Sequence, residues 1–265
     1  MSIVTGYCDV PERPGDESGR TTGGGRAGTL GTLTIGQSPR QDLIPELRMA
    51  MGFEPGEGAG TSRRLRIIEA GALDGLTLEE VRRFGPEPGD YVLVTRMADG
   101  SSVKIAERHI LPRMRSQIDR LVTEGADVIA LVCTGEFPEF PCEKLLVRPQ
   151  LVLHHVVMAL AKGRRLGVLL PDEDQKPQGY RRWSSVCGSG GLEDQKLLRI
   201  EAASPYGDPA IVQEAAVALR DWGAELVVMD CIGYTMAMKE TVKSITGAPV
   251  ILARSILGRV LAELV

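Results

Sequence analysis

The sequence predicts an α/β protein of two pseudo-symmetric half-domains, each a mostly parallel sheet flanked by helices, with a β-hairpin inserted in the first half. Three observations predict it. Apolar runs of strand length alternate with amphipathic stretches of helix length, the pattern of parallel strands joined by crossover helices. The segment from Gly125 to Gly135 is matched 98 residues later by Gly223 to Gly233: each reads as a helix end closed by Gly, an apolar strand, then Cys, one residue and Gly. Two strand candidates, 91–95 and 103–106, flank Asp99-Gly100, a strong short-range hairpin signal.

Residues 1–28 are dominated by Gly, Pro, Thr and charged side chains and read as a mobile tail, since they bury little apolar surface. The first half, 29–150, opens with Leu30, Leu33 and Ile35, a strand that runs into the loop Gly36-Gln37-Ser38-Pro39-Arg40. A helix follows from Asp42, with Pro45 tolerated in its first turn. Ile67-Ile68 mark a short apolar stretch before Gly71 to Gly75, and Thr77-Leu78-Glu79-Glu80 has the spacing of a capping box. After the hairpin, Ile110, Met114, Ile118 and Leu121 share one helical face and deliver the chain to the first Cys strand. The second half, 151–265, repeats this with a shorter middle: strands at 165–171 and 197–202, helices at 174–186 and 209–222, the second Cys strand, a helix from about 236 to 245, a strand at 249–252 and a final helix.

Bulk properties exclude several classes. With 265 residues, 43% hydrophobic and 25% charged, the chain has an ordinary globular composition. A formal net charge of -4 gives no basic field for nucleic acid or anionic membrane. Arg63-Arg64-Leu65-Arg66 and Arg181-Arg182 read as solvated helix faces. No apolar run approaches the roughly 20 residues of a membrane helix, and no signal-peptide pattern precedes the first strand, so the expected location is cytoplasmic. Five cysteines show neither a disulfide framework nor C-x-x-C, and three histidines give no zinc motif; no metal and no cofactor are expected. His154 and His155 read as structural residues of a helix.

The phrases Thr34 to Arg40, Gly71 to Gly75, Cys133 to Phe137 and Asp230 to Thr235 resemble those of the AroM family, in the same order along about residues 29–265. AroM proteins in turn resemble the aspartate/glutamate/hydantoin racemase superfamily. That resemblance implies two α/β halves, a crevice between them with one cysteine from each, and a homodimer as the prior for assembly. It implies no substrate. The amino-acid racemases carry Cys-Asn-Thr at the first thiol and Gly-Cys-Thr at the second, whereas this chain has Cys133-Thr134-Gly135 and Asp230-Cys231-Ile232.

Chemistry that uses two thiols is proton exchange at a carbon beside a carboxylate or carbonyl, with a thiolate removing the proton and a thiol returning one from the other face. Cys133 and Cys231 are the candidate acid and base, with a helix N-terminus expected after each to lower the thiol pKa. Cys8, Cys142 and Cys187 share neither the repeat nor its context. Gly36, Gln37 and Ser38, Thr134 and Gly135, and Gly233, Tyr234 and Thr235 offer backbone N–H groups and hydroxyls at expected helix starts, a neutral way to hold a small-molecule carboxylate. Arg40 adds a charge-assisted clamp, or else anchors its helix on the surface. Asp230 points either into the site or to the opposite face of its strand. The resulting expectation is a cofactor-independent, racemase- or epimerase-like isomerase acting on a small carboxylate-bearing metabolite. The alternatives are a cysteine-dependent cis/trans isomerase or decarboxylase of the same superfamily, or a non-catalytic binding protein linked to aromatic biosynthesis.

Overall fold

The structure, a computed structural model, describes residues 28–53, 65–187 and 196–265. The expected tail lies outside these residues apart from Gly28, as do Cys8, the Cys187 side chain and the glycine-rich stretch 188–191.

In the first half, β1 (Gly28–Thr34), α1 (Ile44–Ala50), β2 (Leu65–Gly71) and α2 (Leu78–Arg82) precede the hairpin of β3 (Val92–Arg96) and β4 (Ser102–Ala106). Then come α3 (Glu107–Thr123), β5 (Val128–Leu131) and β6 (Leu145–Val147), and α4 (Pro149–Ala161) leads across into the second half. The second half runs β7 (Leu166–Leu170), α5 (Lys176–Cys187), β8 (Leu198–Ala202), α6 (Pro209–Trp222), β9 (Leu226–Met229), α7 (Met236–Thr246), β10 (Val250–Leu252) and α8 (Ala253–Leu264).

The strands form two four-stranded sheets, ordered β2-β1-β5-β6 and β8-β7-β9-β10, with every pairing in both parallel. The orders correspond strand for strand, so β5 and β9 occupy the same place in each half. Both faces of these strands are buried, which is why they read as unbroken apolar runs. Along β5, Val128 and Ala130 enter a core shared with Val168, Ile200 and Val228 of the other sheet, while Ile129 and Leu131 face Ile110, Met114, Ile118 and Leu121 of α3. Along β9, Leu226 and Val228 join the shared core, and Val227 and Met229 pack with Val212, Ala216 and Leu219 of α6. Helices α1, α4, α5 and α8 fill the space between the sheets, with α1 against α8 and α4 against α5.

Local signals account for the element ends. Thr77 caps α2 in a capping box with Glu80, and Gly125 and Gly223 adopt left-handed φ of 88° and 82° where the chain leaves α3 and α6 for the Cys strands. The hairpin forms with Gly100 at φ 86°, and β3 pairs antiparallel with β4. One expectation is corrected. No helix follows Cys133: residues 132–144 are irregular and lead to the three-residue strand β6, whose Leu145 is exposed and too weakly patterned to stand out in the sequence. Among the described residues no helix is long and apolar enough to cross a membrane.

Candidate active site

Cys133 and Cys231 each lie two residues beyond the C-terminal end of the equivalent strand, β5 and β9. This is the edge of an open parallel sheet at which crevices form. Both thiols line one cavity of about 30 Å³, together with Tyr91, Leu93, Thr134, Gly135, Gln178, Arg182 and Asp230. That volume holds about two water molecules.

The two turns share a device. The N–H of Gly135 donates to Cys133 Sγ at 3.4 Å, and the N–H of Gly233 donates to Cys231 Sγ at 3.3 Å. Each turn is tight at its glycine: a Cβ on Gly135 would sit 2.8 Å from the Phe137 ring, and one on Gly233 would sit 2.5 Å from the Tyr206 hydroxyl. Burial pushes the Cys133 thiol up to about 12, against the Gly135 N–H, with Cys231 and Asp230 adding to the rise and Arg182 opposing it. Burial likewise pushes Cys231 up to about 11, against the Gly233 N–H and the positive charges of Arg40 and Arg254. The expected lowering by a helix N-terminus is therefore corrected: desolvation outweighs the donors and raises both thiols. Only the second Cys turn leads to a helix, α7, whose first turn is capped by Thr235 accepting from Met238 N.

The other anticipated donors divide sharply. Gly36 N donates to Thr34 Oγ1, Gln37 N to the Arg96 carbonyl, and Ser38 N to Asp74 Oδ1, while Ser38 Oγ donates to Asp74 Oδ2. The Gln37 amide ties this loop to the Leu73 and Leu76 carbonyls and to Ala98 N in the hairpin turn. The loop is thus a strut joining β1, β2 and the hairpin, with its donors engaged by the protein and not left open as an anion cradle. Arg40 is buried and grips Asp42 with both Nε and Nη2 at 2.8 Å, Thr34 Oγ1 at 2.9 Å and the Tyr206 hydroxyl at 3.3 Å. Burial disfavours its charge, but Asp42 and Tyr206 outweigh that and raise its pKa. It is neither a surface residue nor a free clamp. Tyr234 is fully buried and donates to the Ala203 carbonyl at 2.6 Å, so it belongs to the outer core of the second half. Thr134 is buried on the cavity wall, its hydroxyl donating to the Asp230 carbonyl at 3.2 Å across the two halves.

The sequence reading missed a polar network carried by α5. Arg182, read as solvated, is only 7% exposed. Its Nη2 donates to Asp230 Oδ2, which also accepts from Trp183 Nε1 at 2.8 Å; its Nη1 donates to the Tyr91 hydroxyl at 3.0 Å and the Thr134 carbonyl at 3.3 Å. Asp230 therefore turns toward α5 and lines the cavity. Gln178 of α5 accepts from Val92 N and donates to Val92 O, and Gln175 in the turn just before α5 donates to the same carbonyl, which pins β3 of the first half to the second. Lys104 of the hairpin also reaches the second half, pairing with Asp172 at 2.8 Å and Asp174 at 2.6 Å. The available signal was the spacing of Gln175, Gln178 and Arg182, three polar residues on one face of a helix that packs on a buried strand. His154 on α4 packs edge-on against Trp183 at 4.5 Å, and burial followed by Arg182 pulls its pKa down to about 4. Among the described residues no cluster of His, Cys, Asp and Glu is arranged to hold a metal.

The fold is a two-half α/β architecture in which equivalent strand ends bring two cysteines to one cavity. The protein is similar to solved structures of a maleate isomerase from Pseudomonas putida S16 (TM-score 0.54, 11% identity, 90% of this chain and 93% of that one), an allantoin racemase from Klebsiella pneumoniae (0.52, 12%, 90% and 87%) and a glutamate racemase from Aquifex pyrophilus (0.52, 12%, 89% and 84%). At such identities the likeness is one of fold. The chain belongs to the AroM family, whose sequence model, described as AroM protein, matches residues 30–265. No curated protein matches it.

Proposed function

We propose that the protein is a cofactor-independent isomerase, racemase- or epimerase-like, that exchanges a proton at a carbon beside a carboxylate or carbonyl group of a small molecule. The observation that carries this reading is the pair of equivalent Cys-x-Gly turns, one from each half, whose thiols line a single cavity. One thiol takes the proton as a thiolate and the other returns a proton from the opposite face, after which the roles are exchanged. For this the thiol that acts as base must ionise. The Gly N–H on each sulfur stabilises the thiolate, and Arg182 stands beside Cys133 as the cation on the cavity wall. The same guanidinium, together with Tyr91 and the turn after Cys133, would face the enolate-like anion that forms on the substrate.

The experiment is turnover in deuterium oxide with a panel of small chiral acids and amides, followed by NMR. Solvent deuterium should appear at the reacting carbon, and Cys133→Ser and Cys231→Ser should each abolish inversion, because a hydroxyl is a far weaker base than a thiol. With one enantiomer as substrate, one of the two variants should still exchange the proton without inversion, identifying the thiol that abstracts from that enantiomer. Wild-type rates in both variants would eliminate the two-thiol mechanism, and absence of exchange with every bound acid or amide would leave a binding protein.

A further inference from the structure

The proposed chemistry leaves open what the ligand must look like, and the wall beside the thiols carries information on that. Asp230 is 2% exposed, and both hydrogen bonds to its carboxylate, from Arg182 Nη2 and Trp183 Nε1, fall on Oδ2. Among the described residues nothing donates to Oδ1, and the side chain lines the cavity that both thiols share. A second acceptor on this wall is also open. Gln175 is 7% exposed, its amide N–H is taken by the Val92 carbonyl, and its Oε1 has no partner. Turning this amide over would set oxygen against the Val92 oxygen, so the acceptor cannot be exchanged for a donor. Two donors stand beside these acceptors: Arg182 Nε, and the Tyr91 hydroxyl, which accepts from Glu136 N and Arg182 Nη1 and donates to nothing among the described residues. Buried polar atoms are ordinarily paired, yet Gln175 Oε1 and Arg182 Nε are buried without a partner; together with the open Asp230 Oδ1 they make a wall complementary to a ligand that pairs them.

We infer that Asp230 is a specificity-determining residue, which accepts a hydrogen bond at Oδ1 from an N–H of the ligand while Arg182 Nε donates to the neighbouring carbonyl. This rests on the two-thiol reading and refines its substrate class: a small amide- or ureide-like molecule, in which an N–H and a C=O lie side by side next to the acidic carbon. A ligand with only carboxylates beside that carbon would set negative charge against Asp230 and acceptors against Gln175. The first half has no counterpart to this selection, because the residue before Cys133 is Val132, which is buried in the shared core.

The test compares two probes of similar size, malonamide and malonate, by their protection of Cys133 and Cys231 against iodoacetamide, read site by site by peptide mass spectrometry. Malonamide should protect both thiols at concentrations roughly tenfold or more below those at which malonate does, the effect of one hydrogen bond to a charged acceptor against a repelled anion. In Asp230→Asn, which keeps the shape but offers an N–H, the preference should shrink or reverse. Preferential protection by malonate, protection by neither probe, or an unchanged preference in Asp230→Asn would overturn the assignment. The wild-type comparison stands even if the variant fails to fold. Protection reports occupancy whether or not a proton is exchanged, so its failure is distinct from failure of the deuterium experiment.

Discussion

The turn after Cys133 and the turn after Cys231 are the same device in two settings. Each puts a thiol two residues past a buried strand and a glycine N–H on its sulfur, and each thiol has a buried arginine nearby that comes from the opposite half: Arg182 for Cys133 and Arg40 for Cys231. The partners of those arginines differ. Arg40 closes on Asp42, two residues away in its own loop, whereas Arg182 closes on Asp230, the neighbour of the other thiol. Duplication of the fold explains the shared geometry of the thiols, and the unequal charge pairs make the two faces of the cavity chemically different. A symmetric fold can thus carry an asymmetric site.

The largest expected effect breaks this comparison at its unequal point. Arg182→Met leaves Asp230 as an uncompensated buried charge and should cost about 3–5 kcal/mol in urea unfolding, whereas Arg182→Met with Asp230→Leu should recover much of that loss, because replacing a whole buried pair is far less costly than breaking it. Equal destabilisation by the single and double variants would show that the pair does not act as a unit.

A smaller effect tests the shared device. Gly233→Ala should destabilise by about 1–3 kcal/mol, the range for overpacking a tight site. The added Cβ meets Tyr206, which is held by Arg40 and lies under the Arg96 guanidinium, and also the Pro205 ring at 2.9 Å. Gly135→Ala should cost less, since its Cβ meets only the far ends of the Phe137 and Leu93 side chains. Calorimetry of the two variants checks the order, and a larger loss at Gly135 would reverse it.

The smallest effect separates the two thiols by ionisation. An ordinary thiol ionises near 8.5, so its alkylation rate levels off above about pH 9. Because burial raises both folded-state values, thiolate is scarce at pH 7, and the alkylation rates of Cys133 and Cys231 should keep climbing beyond that point, with Cys231 ahead of Cys133. Rate-against-pH profiles by mass spectrometry measure this, and a plateau below about pH 9 would show that opening of the site, not burial, sets thiol ionisation.

Much of this architecture was legible one segment at a time. The capping box at Thr77, the Asp99-Gly100 turn, the glycines at the ends of α3 and α6 and the repeated Cys-x-Gly each act through neighbours a few residues away, so their spacing alone exposes them. The short strand β6 escaped because three residues with an exposed leucine carry no period. Site chemistry was less legible. Gly36, Gln37 and Ser38 look like an anion loop by residue type, and Arg181-Arg182 looks like a wet helix face, yet the first is a strut and the second holds a buried charge.

The sequence by itself determined the two-half α/β fold, the alternation of buried strand faces and the delivery of both thiols to strand ends, because periodicity and turn geometry are set by local covalent and steric rules. Only the tertiary structure decided which donors remain for a ligand. Ser38 meets Asp74 across 36 positions and Arg182 meets Asp230 across 48. A polar side chain's meaning depends on the partner that folding brings within about 3 Å, and on whether water is left to compete for it.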